Sequence, residues 1–332
     1  MTDRPLLDAC DPAGIERYLA AGGWLAAGER VLEVARAGEG NMNLTLRVAT
    51  TARSVIVKQG RPWVERHPAI PAPGERTLVE ARWYELAGEV PSLAERMPTV
   101  LGVDRQARVL LLGDLGDAPD CLHLYGGGRL AVGQLDALVD WLLDLHGEFS
   151  GDARAATLDN RAMRELNHEH IFEIPLSASG GPDLDEITPG LREVAAGMRR
   201  DRALLCAVRD LGRVYLGDGS TLLHGDYYPG SWLQAPRPWV IDPEFGFYGP
   251  PEFDLGVMLA HLGLAGQPPE LAERALARYR SGAAIDPGLV RAFAGIEVIR
   301  RLLGVAQLRI APDLDAKRRL LETGRAGVLG LR

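Results

Sequence analysis

Carboxylates close two apolar runs in this chain. Leu222-Leu223-His224-Gly225-Asp226 leads into Tyr227-Tyr228-Pro229-Gly230-Ser231, and Trp239-Val240-Ile241 leads into Asp242-Pro243-Glu244. A strand, a loop and a second strand over Thr221 to Ile241 form a predicted hairpin. A hairpin of this length is expected to bring Asp226 and Asp242, sixteen residues apart, to one cleft. Such a set suits phosphoryl transfer. One carboxylate orients and deprotonates an attacking hydroxyl. The others bind Mg²⁺ through hard oxygen ligands, and the metal neutralises phosphate charge. In this reading Asp226 is the base, and Asp242 and Glu244 are the metal acids.

A second group of residues suits the phosphates themselves. Gly38-Glu39-Gly40-Asn41-Met42-Asn43-Leu44 is a glycine turn between two strands. Glycines there let backbone N–H groups come close to phosphate oxygens. Lys58 ends the β-branched run Val55-Ile56-Val57, which would place an ammonium on the α- and β-phosphates. Arg300 and Arg301 sit next to one another in an amphipathic helical stretch. Neighbours on a helix differ by about 100°, so spacing alone predicts that the two cannot both face the core. His168 and His170 lie two residues apart and lack HExxH spacing, so a helix surface or a substrate-side loop is expected rather than zinc.

The elements that must hold these residues change character along the chain. Asp11-Pro12 followed by Ile15, Tyr18 and Leu19 predicts a capped helix ended by Gly22-Gly23. Val31 to Ala35, Leu44 to Val48, Val55 to Lys58 and Val109 to Leu112 are predicted strands. Arg61 to Gly74 is Pro-rich and is predicted to be a loop, and Arg76 to Leu86 a helix. Beyond Asp114 to Gly128 the pattern is helical, with helices predicted at Val132 to His146, Phe253 to Leu262, Leu271 to Tyr279 and Leu289 to Leu308.

The stretch from Asp226 to Pro250 resembles the catalytic and metal loops of the protein-kinase-like superfamily, in its aminoglycoside phosphotransferase and choline kinase branch. That branch carries His-Gly-Asp, four residues, then Asn. Ser231 stands at the Asn position, a hydroxyl where an amide oxygen would bind metal, and Glu244 offers a compensating oxygen. Gly230-Ser231 together with Ile241-Asp242-Pro243-Glu244-Phe245 and Phe247-Tyr248-Gly249-Pro250 is similar to the methylthioribose kinases in particular. So are Gly40-Asn41-Met42-Asn43-Leu44, Val57-Lys58-Gln59 and Ile299-Arg300-Arg301.

The resemblance implies an α+β, protein-kinase-like two-lobed fold. Residues 1–115 would form a small five-stranded antiparallel β lobe that binds nucleotide, and residues 116–332 a larger, mainly helical catalytic and substrate lobe. It implies ATP and Mg²⁺ as cofactors, with Gly38, Gly40, Asn41, Asn43 and Lys58 on the nucleotide. A helix glutamate would hold Lys58. Glu80 is the assignment, with Glu75, Glu85 and Glu89 as rivals. Leu111 to Leu115 falls at the adenine-binding hinge, so Leu112 and Asp114 join the cofactor set. Asp242, Glu244 and Ser231 would hold the metal, and Arg300 and Arg301 would meet the acceptor and the transferred phosphate. Asp254 would brace the catalytic loop, and His224 would pack beneath it. The acceptor implied is a ribose-like sugar, methylthioribose or a related 5-deoxypentose, phosphorylated at its anomeric hydroxyl. Tyr227 and Tyr228 depart from that family's smaller pair, and they are expected beside the attacking hydroxyl. A homodimer is also implied.

Composition narrows the alternatives. The 332 residues carry a net charge of -8, against nucleic-acid binding, which wants a basic face. The scattered Cys10, Cys121 and Cys206 form neither a disulfide framework nor a zinc site, which fits a cytoplasmic protein. The start shows no apolar signal region, and no apolar run has membrane-spanning length. Two other functions compete. An aminoglycoside or amino-alcohol kinase would suit an acidic chain, though the twin arginines oppose a cationic acceptor. An inactive nucleotide-binding protein is favoured only by Ser231.

Overall fold

The computed structural model describes residues 6–38, 42–151, 158, 160–308, 310 and 313–331. The chain divides into two compact units, Met1–Ala118 with Ile241–Glu244, and Pro119–Val240 with Phe245–Arg332. Sequence reading placed Ile241–Glu244 with the helical part. The structure gives these four residues to the first unit, because their polar groups bond to Asn43, Lys58 and Tyr84.

The first unit is built on strands β1 (Val31–Arg36), β2 (Leu44–Thr50), β3 (Ser54–Gln59), β4 (Val100–Asp104) and β5 (Val109–Gly113). They form one antiparallel sheet in the order β1-β2-β3-β5-β4. Alternation sets the faces. Leu44, Leu46 and Val48 of β2 are buried together with Val55 and Val57 of β3 and Val109 and Leu111 of β5. Ile15 and Leu19 of helix α1 (Pro12–Ala21) close this core. The helix starts where its cap dictates: Asp11 accepts from the Gly14 N–H, and Pro12 fills the first turn.

Lys58 follows Val57 and therefore points to the opposite face, where helix α2 (Arg76–Ala87) meets it. The buried face of α2 carries Arg76, Thr77, Glu80 and Tyr84 among its apolar residues. Strand β4 had no clear alternation in the sequence. It is an edge strand with a bulge between Val100 and Gly102, and a Cβ on Gly102 would come within 2.2 Å of the Trp24 indole nitrogen. The Pro-rich stretch is not all loop, since Trp63–Val64 pairs with His67–Pro71. A short ribbon outside the main sheet tolerates proline because few of its N–H groups are needed.

The second unit is mostly helical. Its principal helices are α3 (Val132–Glu148), α4 (Arg202–Leu216), α5 (Glu252–Leu264), α6 (Pro269–Gly282), α7 (Pro287–Leu303) and α8 (Leu314–Val328). Helix α7 packs against both α5 and α8, and Phe253, Val257, Phe293, Ile296 and Leu321 join in the core there. The approach to α8 is close enough to require glycine: a Cβ on Gly295 would lie 2.3 Å from the Gly324 carbonyl oxygen. Helix α7 stops at Leu303 rather than Leu308, because Gly304 turns to extended backbone.

The predicted Thr221–Ile241 hairpin is replaced by two ribbons. Thr221–Leu223 pairs with Phe247–Gly249, and Trp232–Leu233 pairs with Trp239–Val240. The break falls at Gly225, whose φ of +84° is left-handed and whose Cβ would lie 2.1 Å from the Phe245 carbonyl oxygen. Cys10, Cys121 and Cys206 are unbridged. Among the described residues no helix is long and apolar enough to cross a membrane.

Candidate active site

In the first unit five of the sequence-assigned residues meet. Lys58, 3% exposed, donates from Nζ to Glu80 Oε1 at 2.6 Å and to Asp242 Oδ1 at 2.5 Å. The assignment of Glu80 over its rivals follows from α2 geometry: Glu80 lies on the buried face of that helix, whereas Glu75 and Glu85 pair with Arg108 and Arg82. Burial alone would pull the Lys58 ammonium down. Asp242, Glu80 and Glu244 outweigh it, so its pKa stands well above the usual lysine value. Burial pushes the Glu80 carboxyl the other way, up to about 8, against the pull of Lys58.

Asp242 adopts a φ of +64°, a left-handed conformation that costs energy for any residue but glycine. Its backbone N–H donates to the Tyr84 hydroxyl at 3.1 Å, one turn along α2 from Glu80. Asn43 donates to Glu244 Oε2 at 2.6 Å, while its own carbonyl oxygen is buried with no hydrogen-bond partner among the described residues. Arg76 is fully buried beneath this group. It donates to the backbone oxygens of Arg61, Pro73, Met42 and Trp63, and its Nε lies 3.8 Å from Glu244. Arg76 was not singled out in the sequence. An arginine in the first turn of a helix reads as surface, and only tertiary packing reveals it as a clamp.

The other nucleotide-side assignments divide. Gly38 has a φ of +66° at the end of β1, where Ala37 N–H donates to the Thr45 oxygen. Gly40 and Asn41 lie outside the described residues. Leu112 is buried in β5 between β3 and β4. Asp114 bonds to Ser54 and Arg47.

The second unit assembles the remaining residues. Asp254, at the start of α5 and fully buried, accepts from the backbone N–H groups of His224 at 2.6 Å and Gly225 at 2.9 Å. His146 lies 3.2 Å from the same carboxylate. This fixes the loop that carries Asp226. His224 is fully buried, with Nδ1 accepting from the Asp226 N–H. Ser231 donates its hydroxyl proton to the Asp226 backbone oxygen at 3.0 Å, leaving oxygen lone pairs for another partner. Asp226 Oδ1 accepts from Arg301 at 3.1 Å and lies 3.8 Å from Arg300 Nη1.

Here the spacing argument failed. Arg300 and Arg301 are both buried, at 5% and 6% exposed, because Glu297 one turn earlier accepts from both. Long side chains bend where a short one could not. The two tyrosines also part company. Tyr227 turns inward, stacks on Trp141 and donates to the Leu138 oxygen, so it is not beside the base. Tyr228 lies with its ring 4.9 Å from the Arg301 guanidinium. His168 stacks on Phe172, and His170 is half-buried, its pKa lowered by burial and by Arg300.

The description "Phosphotransferase enzyme family" matches residues 33–293. The chain belongs to this family. It is 28% identical to the methylthioribose kinase of Yersinia pseudotuberculosis serotype O:3 (strain YPIII) over 351 aligned positions, covering 88% of this chain and 85% of that one. It is 29% identical to methylthioribose kinase 1 of Oryza sativa subsp. japonica, covering 79% of this chain and 63% of that one. Among solved structures, choline kinase LicA from Streptococcus pneumoniae matches with a TM-score of 0.53, at 15% identity over 96% of this chain and 98% of that one. A spectinomycin phosphotransferase in complex with ADP and spectinomycin matches with a TM-score of 0.56, at 13% identity over 96% and 98%. These structures establish the kinase-like α+β fold. The protein is an ATP-dependent phosphotransferase acting on a hydroxyl.

The first unit also fits a metal by its donor set. Glu80, Asp242 and Glu244 are three carboxylates against two cations, Lys58 and Arg76. Asp242 is 42% exposed on its side chain, and the unpartnered Asn43 oxygen adds a hard donor. Among the described residues no group of three or more His, Cys, Asp or Glu side chains is arranged to hold a metal. Asp242 and Glu244 with the Asn43 amide oxygen are a donor set that suits Mg²⁺, which is commonly held by one or two carboxylates plus substrate phosphates rather than by an all-protein cage.

Proposed function

We propose that this phosphotransferase moves the γ-phosphoryl group of ATP onto a hydroxyl of a ribose-like sugar, methylthioribose or a related 5-deoxypentose. The first unit handles the nucleotide. Lys58, drawn straight by Glu80, places its ammonium on the phosphates, and the backbone at Gly38 faces the same task. Asp242 and Glu244, with the Asn43 oxygen as a further donor, would hold Mg²⁺, whose part is to neutralise phosphate charge. Leu112 and Asp114 mark the segment offered to the adenine.

The second unit handles the acceptor. Asp226 orients the sugar hydroxyl and takes its proton, while Arg300 and Arg301 offset charge on the transferred group. The observation that carries this reading is the contact of Asp226 with Arg301 on a loop braced by Asp254. Two guanidiniums beside the base disfavour a cationic aminoglycoside or amino-alcohol. The presence of the base, the lysine and both metal acids disfavours an inactive nucleotide-binding role. Dependence on ATP and three unbridged cysteines agree with a cytoplasmic setting, and a homodimer is the expected assembly, open to light scattering.

The test is an ATP-consumption screen of methylthioribose, 5-deoxyribose, ribose and aminoglycosides. Turnover with the first two, and Asp226→Ala lowering it by about 10²–10⁴-fold, is the expected result. Turnover only with aminoglycosides, or near-normal turnover in Asp226→Ala, would discard the reading.

A further inference from the structure

Two consecutive arginines on one helix leave it about 100° apart, yet both reach the same side of α7. The residue that gathers them is Glu297. Its Oε1 accepts from Arg301 Nε at 2.6 Å, and its Oε2 accepts from Arg300 Nη1 at 3.0 Å. Glu297 is fully buried, and so is His261 on α5, whose Nε2 lies 3.1 Å from Glu297 Oε1. An ionised carboxylate only accepts, so Nε2 carries the proton there. The other ring nitrogen, Nδ1, then accepts from the Tyr125 hydroxyl, its partner across the 3₁₀ turn Cys121–Gly126. Tyr228 closes the arrangement, with its ring 5.1 Å from the His261 ring and 4.9 Å from the Arg301 guanidinium. The donors converge: Tyr125 donates to His261 and His261 to Glu297, the two arginines donate to Glu297 from the other side, and Arg301 also donates to Asp226.

Stability alone does not call for this. A buried ionic cluster is often matched or bettered by well-packed apolar residues, and its members are costly to leave half-paired. What the cluster gives is a fixed direction for two long, flexible side chains at the reacting carboxylate.

We infer that Glu297, His261 and Tyr125 are positioning residues for phosphoryl transfer, setting Arg300 and Arg301 against Asp226 without touching substrate themselves. The inference rests on the proposed role of Asp226 and the arginines. Its experiment measures steady-state rates of the full chain with the acceptor found in the screen, with ATP and acceptor varied separately. Glu297→Gln is expected to lower kcat by about tenfold to a hundredfold, the range for losing a hydrogen bond to a charged group. Tyr125→Phe should lower it severalfold, and both should leave the KM for ATP within about twofold of the parent. His261→Gln, which keeps an N–H for Glu297, should recover rate relative to His261→Leu. A folded Glu297→Gln with the parent's kcat and acceptor KM overturns the proposal. Should that variant not fold, Tyr125→Phe with unchanged kcat and acceptor KM, or equal rates for the two His261 variants, overturns it instead. Asp226→Ala run alongside keeps the two ideas apart: if it retains turnover the functional reading falls, whereas if it alone loses turnover only the positioning role falls.

Discussion

The two charged clusters of this protein are inverses. In the first unit a lysine lies between carboxylates, Glu80 and Asp242. In the second a carboxylate, Glu297, lies between guanidiniums, Arg300 and Arg301. They also differ in completion. Among the described residues, the first leaves Asn43 Oδ1, Glu80 Oε2 and Arg76 Nε buried without hydrogen bonds and holds Asp242 at positive φ, whereas the second leaves Arg300 Nε alone. Buried polar groups are nearly always satisfied, so a cluster with several gaps is one that a ligand completes. Under the proposed function the first cluster is the one that nucleotide and cation would complete, whereas the second is already paired.

Removing the centre of the unfinished cluster should have the largest effect on this contrast. Lys58→Met takes away the charge proposed to meet the phosphates, which should lower kcat by about 10²–10³-fold, the range for a lost preorganised electrostatic contact. ATP with Mg²⁺ should raise the parent's melting temperature, because a ligand that binds only the folded state stabilises it by mass action. In Lys58→Met that rise should shrink or vanish. An equal rise in both proteins would show that the first cluster does not need Lys58 to be completed, and the contrast between the clusters would fail.

The contrast also shows what the sequence could carry. Strand β2 was legible from alternation, β3 from its β-branched residues and β5 from its apolar run, and the carboxylates Asp226, Asp242 and Glu244 from the polar loops that follow apolar runs. Strand β4 was lost because an edge strand with a bulge has no clean period. The Thr221–Ile241 pairing was misread because period locates strands and says nothing about partners. In the site, Lys58 and Glu80 were legible through their elements. Glu297, His261 and Tyr125 were not, since a glutamate in an amphipathic helix reads as solvated until tertiary packing buries it. Tyr227 and Tyr228 are adjacent, and only the structure tells which one turns to the core.

A smaller effect should come from Tyr84. Its hydroxyl accepts the Asp242 N–H from the same helix that bears Glu80, so α2 sets both Lys58 and Asp242. Tyr84→Phe removes that acceptor and leaves the strained Asp242 conformation less supported, an effect of a few-fold rather than the loss of a charge. The Mg²⁺ concentration giving half-maximal ATP binding in calorimetry should rise severalfold, with little change in nucleotide binding when metal is absent. An unchanged Mg²⁺ requirement would mean that Lys58 alone places Asp242.

The finished cluster should be read in acid instead. Burial by itself would raise the Glu297 carboxyl, but Arg300, Arg301 and His261 hold it well below its usual 4.5. A carboxylate depressed on folding adds stability above its unfolded value and loses it as pH falls through the folded one. That contribution is fully present at neutral pH and disappears progressively below about pH 4.5. Urea unfolding of the parent should therefore shift to lower midpoints across that acid range, and Glu297→Gln should show a shallower decline there, being less stable at neutral pH but closer to the parent in acid. The first cluster answers oppositely: against the downward pull of burial, Asp242, Glu80 and Glu244 hold Lys58 well above its usual value, so its contribution is present at neutral pH and is lost only as pH rises into the alkaline range. If Glu297→Gln and the parent declined in parallel, the glutamate would titrate alike in the folded and unfolded chains, and the second cluster would not be the ion-paired counterpart of the first.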